Sequence, residues 1–203
     1  MAKGKEIADE IARRLGEEIR ALPDRFHSSF DYVDTGNNKC HSSTLWILAK
    51  IVAGLDGVEH VGIDVPLGRK GAKIKPDVVG YGPGWSHAVY VDFESPNSSD
   101  TRVWRKDCEP YAAYRDANTD TCAPYVVVTS LPDRETLGWQ LRWTNMTSKG
   151  PQYNHECRGM EDQVRRNPFR FWLGRWREIV SPEKMTGVTI LNIDDTTVKR
   201  VKL

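Results

Sequence analysis

Apolar residues recur at three- and four-residue steps near the N-terminus, at Ile7, Ile11, Leu15, Ile19 and Leu22. Glu6, Glu10, Glu17 and Glu18 lie off that stripe, interleaved with Arg13, Arg14 and Arg20. The spacing predicts an amphipathic helix over residues 4–22, ended by Pro23. Leu45, Trp46, Leu48, Ile51 and Val52 predict a second, mostly buried helix, with Ser42, Ser43 or Thr44 as its cap. The pattern then shortens. Val58, Val61, Ile63 and Val65 suggest a strand, and LGRKGAK (67–73) a basic turn. The turn-rich GYGPGW (80–85) separates residues 73–79 from the strand Val89–Glu94, which reads as a hairpin. Trp104, Cys108, Tyr111 and Tyr114 or Arg115 give a rough helical stripe over 100–117, with Pro110 as a kink or a break. APYVVVTSL (123–131), bounded by Pro124 and Pro132, has the density of a central buried strand. Further on come a strand near 139–143, an irregular loop, a helical stripe of Phe169, Trp172, Leu173 and Trp176, a late strand at 186–193 and a basic tail at 197–203. Helices mixed with strands in this order predict an α/β protein.

The chain has 203 residues, enough for one domain with a core or for one domain with an appendage. A formal net charge of +1 means that any nucleic-acid surface must be local. No apolar run approaches 18 residues, so no transmembrane helix is expected, and MAKGKEIADE lacks the apolar core of a signal peptide. Four dispersed cysteines without an export signal suggest reduced thiols and a cytoplasmic location. His155 with Cys157, and Cys40 with His41, lack the two tight ligand pairs usual in structural zinc sites.

The chemistry concentrates between Lys75 and Lys106. In the strand Val89–Glu94, side chains alternate between faces, so Tyr90, Asp92 and Glu94 share one face and Val89, Val91 and Phe93 the other. Asp92 and Glu94 are then roughly 7 Å apart, close enough to repel if buried. The hairpin would return Asp77 to the side of Asp92. Three converging carboxylates suit a hard divalent cation, Mg²⁺ or Mn²⁺. The alternative is a solvated strand end.

These pieces resemble the PD-(D/E)XK nuclease superfamily. Pro76-Asp77 is similar to its first half-motif and Asp92-Phe93-Glu94 to its second, with Glu94 where a lysine is usual. The closer resemblance is to the Uma-type branch of endonucleases. Asp92 is followed by Ser95-Pro96-Asn97-Ser98 and later by Lys106 and Tyr111, and FDYVDTG (30–36) resembles that branch's opening. The resemblance spans roughly residues 30–132. It implies a restriction-endonuclease-like mixed central sheet flanked by helices. It further implies metal-dependent DNA hydrolysis, with Asp77, Asp92 and Glu94 as metal ligands and Lys106 as a catalytic residue. Glu94 then leaves three options: Lys106 has replaced the motif lysine, Glu94 acts as a base, or the site is a degenerate binding module. The resemblance also brings in Asp31 as either a fourth carboxylate or a loop acid, Glu10 as a weak metal candidate, and His41, just before the second helix, as either structural or in contact with a phosphate or a metal. Pairing of two chains to cut two strands makes a homodimer plausible.

Residues 1–135 are read as the nuclease-like core, and 136–203 as an Arg/Trp-rich C-terminal extension packing on it. Arg69, Lys70 and Lys73 on the glycine-containing turn, and Arg158, Arg165, Arg166 and Arg170 near the aromatic stripe, are the candidate DNA contacts. The turn reads equally as a solvated hairpin tip; in the C-terminal stripe the aromatics are expected to pack inward and the arginines to point out toward a ligand.

Overall fold

A computed structural model describes residues 2–22, 37–69, 72–94, 103–135, 145–147, 150–152, 160–194 and 196–203. Two helices come first, α1 (Ala2–Ala21) and α2 (Asn37–Ala53). β1 (His60–Ile63), the small hairpin β2 (Leu67–Arg69) and β3 (Ala72–Ile74), β4 (Val78–Tyr81) and β5 (His87–Glu94) follow. A π-helical segment (Val103–Cys108) leads into α3 (Glu109–Ala117) and then β6 (Tyr125–Thr129). The remainder holds a second small hairpin of β7 (Asn145–Thr147) and β8 (Gly150–Gln152). After it come α4 (Glu161–Arg166), α5 (Pro168–Ile179), β9 (Val188–Asp194) and β10 (Thr197–Arg200).

Six of these strands form one mixed sheet in the order β1-β4-β5-β6-β9-β10. β1 with β4, and β4 with β5, pair antiparallel, as in a meander. β5, β6 and β9 are parallel, and β10 closes the far edge antiparallel to β9. Parallel neighbours need long connections, and α3 supplies the one between β5 and β6.

Strand alternation sorts the core into two faces. Val89, Val91 and Phe93 of β5, Val126 and Val128 of β6, and Leu191 and Ile193 of β9 pack against the α1 stripe of Ile11, Leu15 and Ile19 and against Leu48 and Val52 of α2. The opposite face carries Tyr90, Tyr125, Val127 and Ile190, covered by Tyr111 and Tyr114 of α3 and by Trp172 and Trp176 of α5. The aromatic stripe of α5 thus turns inward, while Arg170 on the same helix stays exposed. The protein is a three-layer α/β/α structure in which the sheet is buried on both sides.

Several local expectations shift. α2 starts at Asn37, so Ser42, Ser43 and Thr44 lie inside the helix instead of capping it, and His41 is helical rather than preceding the helix. The expected single helix over 100–117 is a π-segment followed by α3. Pro110 sits in the first turn of α3, where its missing N–H costs nothing. The basic tail is partly the edge strand β10, whose pairing with β9 no local pattern announces. Part of the expected irregular loop is the β7–β8 hairpin.

One glycine is demanded twice over. Gly187 has φ +82°, and a Cβ there would stand 2.6 Å from the Tyr111 hydroxyl. That hydroxyl donates to the Ala123 carbonyl at 2.9 Å, and the Gly187 carbonyl accepts from the Tyr125 N–H at 2.9 Å. Gly187→Ala is expected to cost about 2 kcal/mol, read as a fall of the thermal midpoint; an unchanged midpoint would show that Tyr111 yields freely.

Candidate functional site

Asp77 stands just before β4, and the β4–β5 hairpin pairs Val78 with Val91. That register places Asp77 beside Asp92. The Asp77 N–H donates to Asp92 Oδ1 at 2.6 Å, and the Phe93 N–H donates to Asp77 Oδ2 at 2.8 Å. Asp92 Oδ2 also accepts a hydrogen bond from the Tyr125 hydroxyl. Tyr125 reaches it from the neighbouring parallel strand and is itself stacked on Tyr111, with ring centroids 4.8 Å apart.

Asp92 is 5 % exposed and Glu94 2 %. Burial, and then the neighbouring Asp77, push the Asp92 carboxyl well above the ordinary range; the Asp77 N–H only partly offsets this. Lys106 comes in from the π-helical segment and donates to Glu94 Oε1 at 2.5 Å. Desolvation lowers the tendency of Lys106 to hold its proton, but Asp107 and Glu94 outweigh that, and the ammonium is held above its usual value.

Asp107 is the acid that the sequence reading did not single out. It is 5 % exposed, and its Oδ1 lies 3.8 Å from Lys106 Nζ. Burial, reinforced by the charges of Asp92 and Glu94, pushes its carboxyl up to about 10. Four carboxylates and one ammonium therefore gather at one end of β5. The only sequence signal for Asp107 was its place after Lys106, which reads as surface in an ordinary helix. A π-turn, a form frequent at functional sites, instead buries Asp107 while Lys106 keeps an exposed side chain.

The same end of the sheet carries a polar row. Glu94 pairs in register with Thr129, and Thr129 with Asn192. Thr129 Oγ1 donates to Asn192 Oδ1 at 2.9 Å. Asn192 is also anchored to the Leu131 backbone, accepting from its N–H and donating to its carbonyl, each at 2.9 Å. These residues cap the carboxyl ends of the parallel strands, where ligands of open α/β sheets bind. Arg170 lies near this end, its Nε 3.2 Å from Oδ1 of Asp133, a few residues beyond Thr129. Such an exposed pair is weak, so Arg170 can exchange Asp133 for another anion.

Lys73 is exposed on β3, four residues before Asp77, and Arg166 is exposed at the end of α4. The side chains of Arg69 and Arg165, the residues Lys70, Arg158, Asp31, His155 and Cys157, and the side chains of Cys40 and His41 lie outside the described residues. Glu10 is engaged on its own helix by Arg13 and Arg14, whose hydrogen bonds lower it to about 2.

Among the described residues, no three His, Cys, Asp or Glu side chains stand in metal-holding geometry. The acids are held by Asp77 N–H, Phe93 N–H, Tyr125 and Lys106. Two clefts, one around Trp85 and His87 and one around Met185 and Ile190, are lined by none of the four acids. No described helix is long and apolar enough to cross a membrane. By fold and site the chain is a mixed α/β protein with a buried acid cluster at the carboxyl end of its parallel strands. No protein-family model, curated protein or solved structure matches it.

Proposed function

We propose that the protein is a metal-dependent endonuclease of restriction-endonuclease-like fold that hydrolyses DNA phosphodiester bonds at the Asp77–Asp92–Glu94–Lys106 cluster. The observation that carries this reading is the contact of Lys106 with Glu94. The lysine missing from the second half-motif is supplied from the next helical segment, at the place where the half-motif ends. The strand plan supports it as well: an antiparallel meander, a helix and a parallel strand, with Asp77 before the second sheet strand and Asp92 and Glu94 at the end of the third.

The donor set fits Mg²⁺ or Mn²⁺ in kind, since the ligands are hard carboxylate oxygens and buried acids far outnumber the nearby ammonium. Asp77, Asp92 and Glu94 would hold the ion, with Glu94 exchanging its contact with Lys106. When bound, such an ion activates water and stabilises charge on the scissile phosphate. The chain's own groups do the rest. Tyr125 orients Asp92, and the Asp77 N–H keeps that carboxylate facing Asp77. Lys106, exposed at its tip, offers its ammonium to a phosphate oxygen or to the attacking water. Arg170 beside the strand ends, together with the exposed Arg166 and Lys73, supplies positive charge for the DNA backbone. Two copies, one per strand, would accomplish a double-strand cut.

A second reading has its own observation. Glu94 and Lys106 neutralise each other, as expected of a catalytically degenerate DNA-binding module of the same fold. Cleavage of plasmid and linear DNA with Mg²⁺, with Mn²⁺ and with EDTA separates the two, run beside Asp92→Ala and Lys106→Ala. Metal-dependent cutting that is lost in Asp92→Ala supports the nuclease. DNA binding without cutting under any metal supports the module.

A further inference from the structure

The acid cluster has one member that the nuclease reading leaves without work. Asp107 is 95 % buried, yet Oδ2 has no hydrogen-bond partner among the described residues. Oδ1 is only at the outer limit of an ion pair, 3.8 Å from Lys106, whose close contact goes to Glu94 at 2.5 Å. The Asp107 carboxyl also hydrogen-bonds with that of Glu94, a second acid, which adds negative charge beside it. A buried carboxyl oxygen with no partner among the described residues, set against further acids, signals a partner that these side chains do not provide. The surrounding charge says what kind. Asp92 and Glu94 are also buried, and a single ammonium faces three acids. An anion or a neutral hydrogen-bond acceptor would worsen the imbalance, whereas a small dication corrects it. A set made of carboxylate oxygens favours Mg²⁺ or Mn²⁺ over zinc.

We propose that Asp107 is itself a ligand of the divalent cation, which sits between Asp107 and Glu94 beneath the π-helical turn. This rests on the reading of the cluster as a metal site and adds to it a ligand from outside both half-motifs. It shifts the ion from the Asp77 side of β5 toward α3. The π-turn has a purpose in this arrangement: it directs the consecutive residues Lys106 and Asp107 toward the same carboxylate, one from the surface and one from within. A cation there shares space with the Lys106 ammonium.

Mn²⁺ binding to the full chain, followed by calorimetry and by electron paramagnetic resonance, tests this without reference to cleavage. Asp107→Asn is expected to weaken Mn²⁺ binding by at least about tenfold, whereas Lys106→Met keeps or tightens it by removing a competing cation. Wild-type Mn²⁺ affinity in Asp107→Asn, with loss in Asp92→Asn, overturns the ligand role and leaves the nuclease reading standing. Equal losses in Asp107→Asn and Lys106→Met would make Asp107 a support for the ammonium and also overturn it. Absence of Mn²⁺ binding by the wild type removes both the inference and the metal-dependent reading. Circular dichroism of the metal-free variants controls for folding, and Asp107→Ser carries the same expectation if the Asn variant does not fold.

Discussion

Asp92→Asn is expected to lower metal-dependent DNA cleavage by roughly a hundred- to a thousandfold, the loss typical when one electrostatic stabiliser is removed from a reaction centre. The same variant should fold at least as stably as the wild type. Asp92 is buried beside two further acids, so its ionised form is opposed by desolvation first and by Asp77 second. Asparagine keeps the shape and one oxygen to accept from the Asp77 N–H, while its amide nitrogen takes the place of Oδ2 and donates to the Tyr125 hydroxyl oxygen; it removes the charge. Activity and stability should therefore move in opposite directions, as at sites where function demands an unfavourable charge. Initial cleavage rates and thermal midpoints of the two proteins, measured side by side, check this. Undiminished cleavage in Asp92→Asn would remove the residue from the reaction; loss of cleavage together with a collapsed midpoint would make it a structural residue.

Metal-free wild-type protein is expected to lose stability as pH rises from 5 to 8. The Asp107 carboxyl is raised to about 10 in the fold from an ordinary value near 3.8. Below the ordinary value, folded and unfolded chains both carry the proton, and the contribution is fully present. Above it the unfolded chain releases its proton while the folded one retains it. Stability then falls until the pH passes the folded value, by up to about 1.4 kcal/mol per pH unit for each such group. Asp92, raised by the same kind of burial, acts in the same direction. Local rearrangement and water entry relieve part of this, so a loss on the order of 2–4 kcal/mol over the three units is expected. For a chain of this length that is a drop of roughly 4–16 °C in the thermal midpoint. Asp107→Asn in the same EDTA-containing buffers should flatten the profile and gain most at pH 8. Parallel profiles for the two proteins would mean that Asp107 is already ionised in the fold.

Much of this site was readable along the chain because it is built on local rules. Alternation in Val89–Glu94 alone puts Asp92 and Glu94 on one face, and the turn residues of GYGPGW alone bring residue 77 back toward residue 92. The apolar stripes of α1 and α5 and the density of 125–129 likewise announced which faces are buried. Each of these depends on spacing within a dozen or so residues.

What the chain did not announce depends on contacts between distant segments. Tyr125 reaches Asp92 only because β6 lies parallel to β5 in a particular register, and that register is set across a long connection. Thr129 and Asn192 join Glu94 in one row for the same reason, although 63 residues separate them in the chain. β10 reads as a charged tail because an edge strand needs only a neighbour's backbone, not an apolar pattern of its own. Asp107 is the sharpest case. Adjacent residues on a regular helix point in different directions, so Lys106-Asp107 reads as surface. Only the π-turn and the packing of the following helix bury the second residue while the first stays exposed. The sequence by itself determined a mixed α/β chain with an acid pair at a strand end and a lysine downstream, because periodicity is a local property. The tertiary structure decided which acids are buried, which lysine faces them and how far their charge goes uncompensated, because burial and register arise only when remote segments pack together.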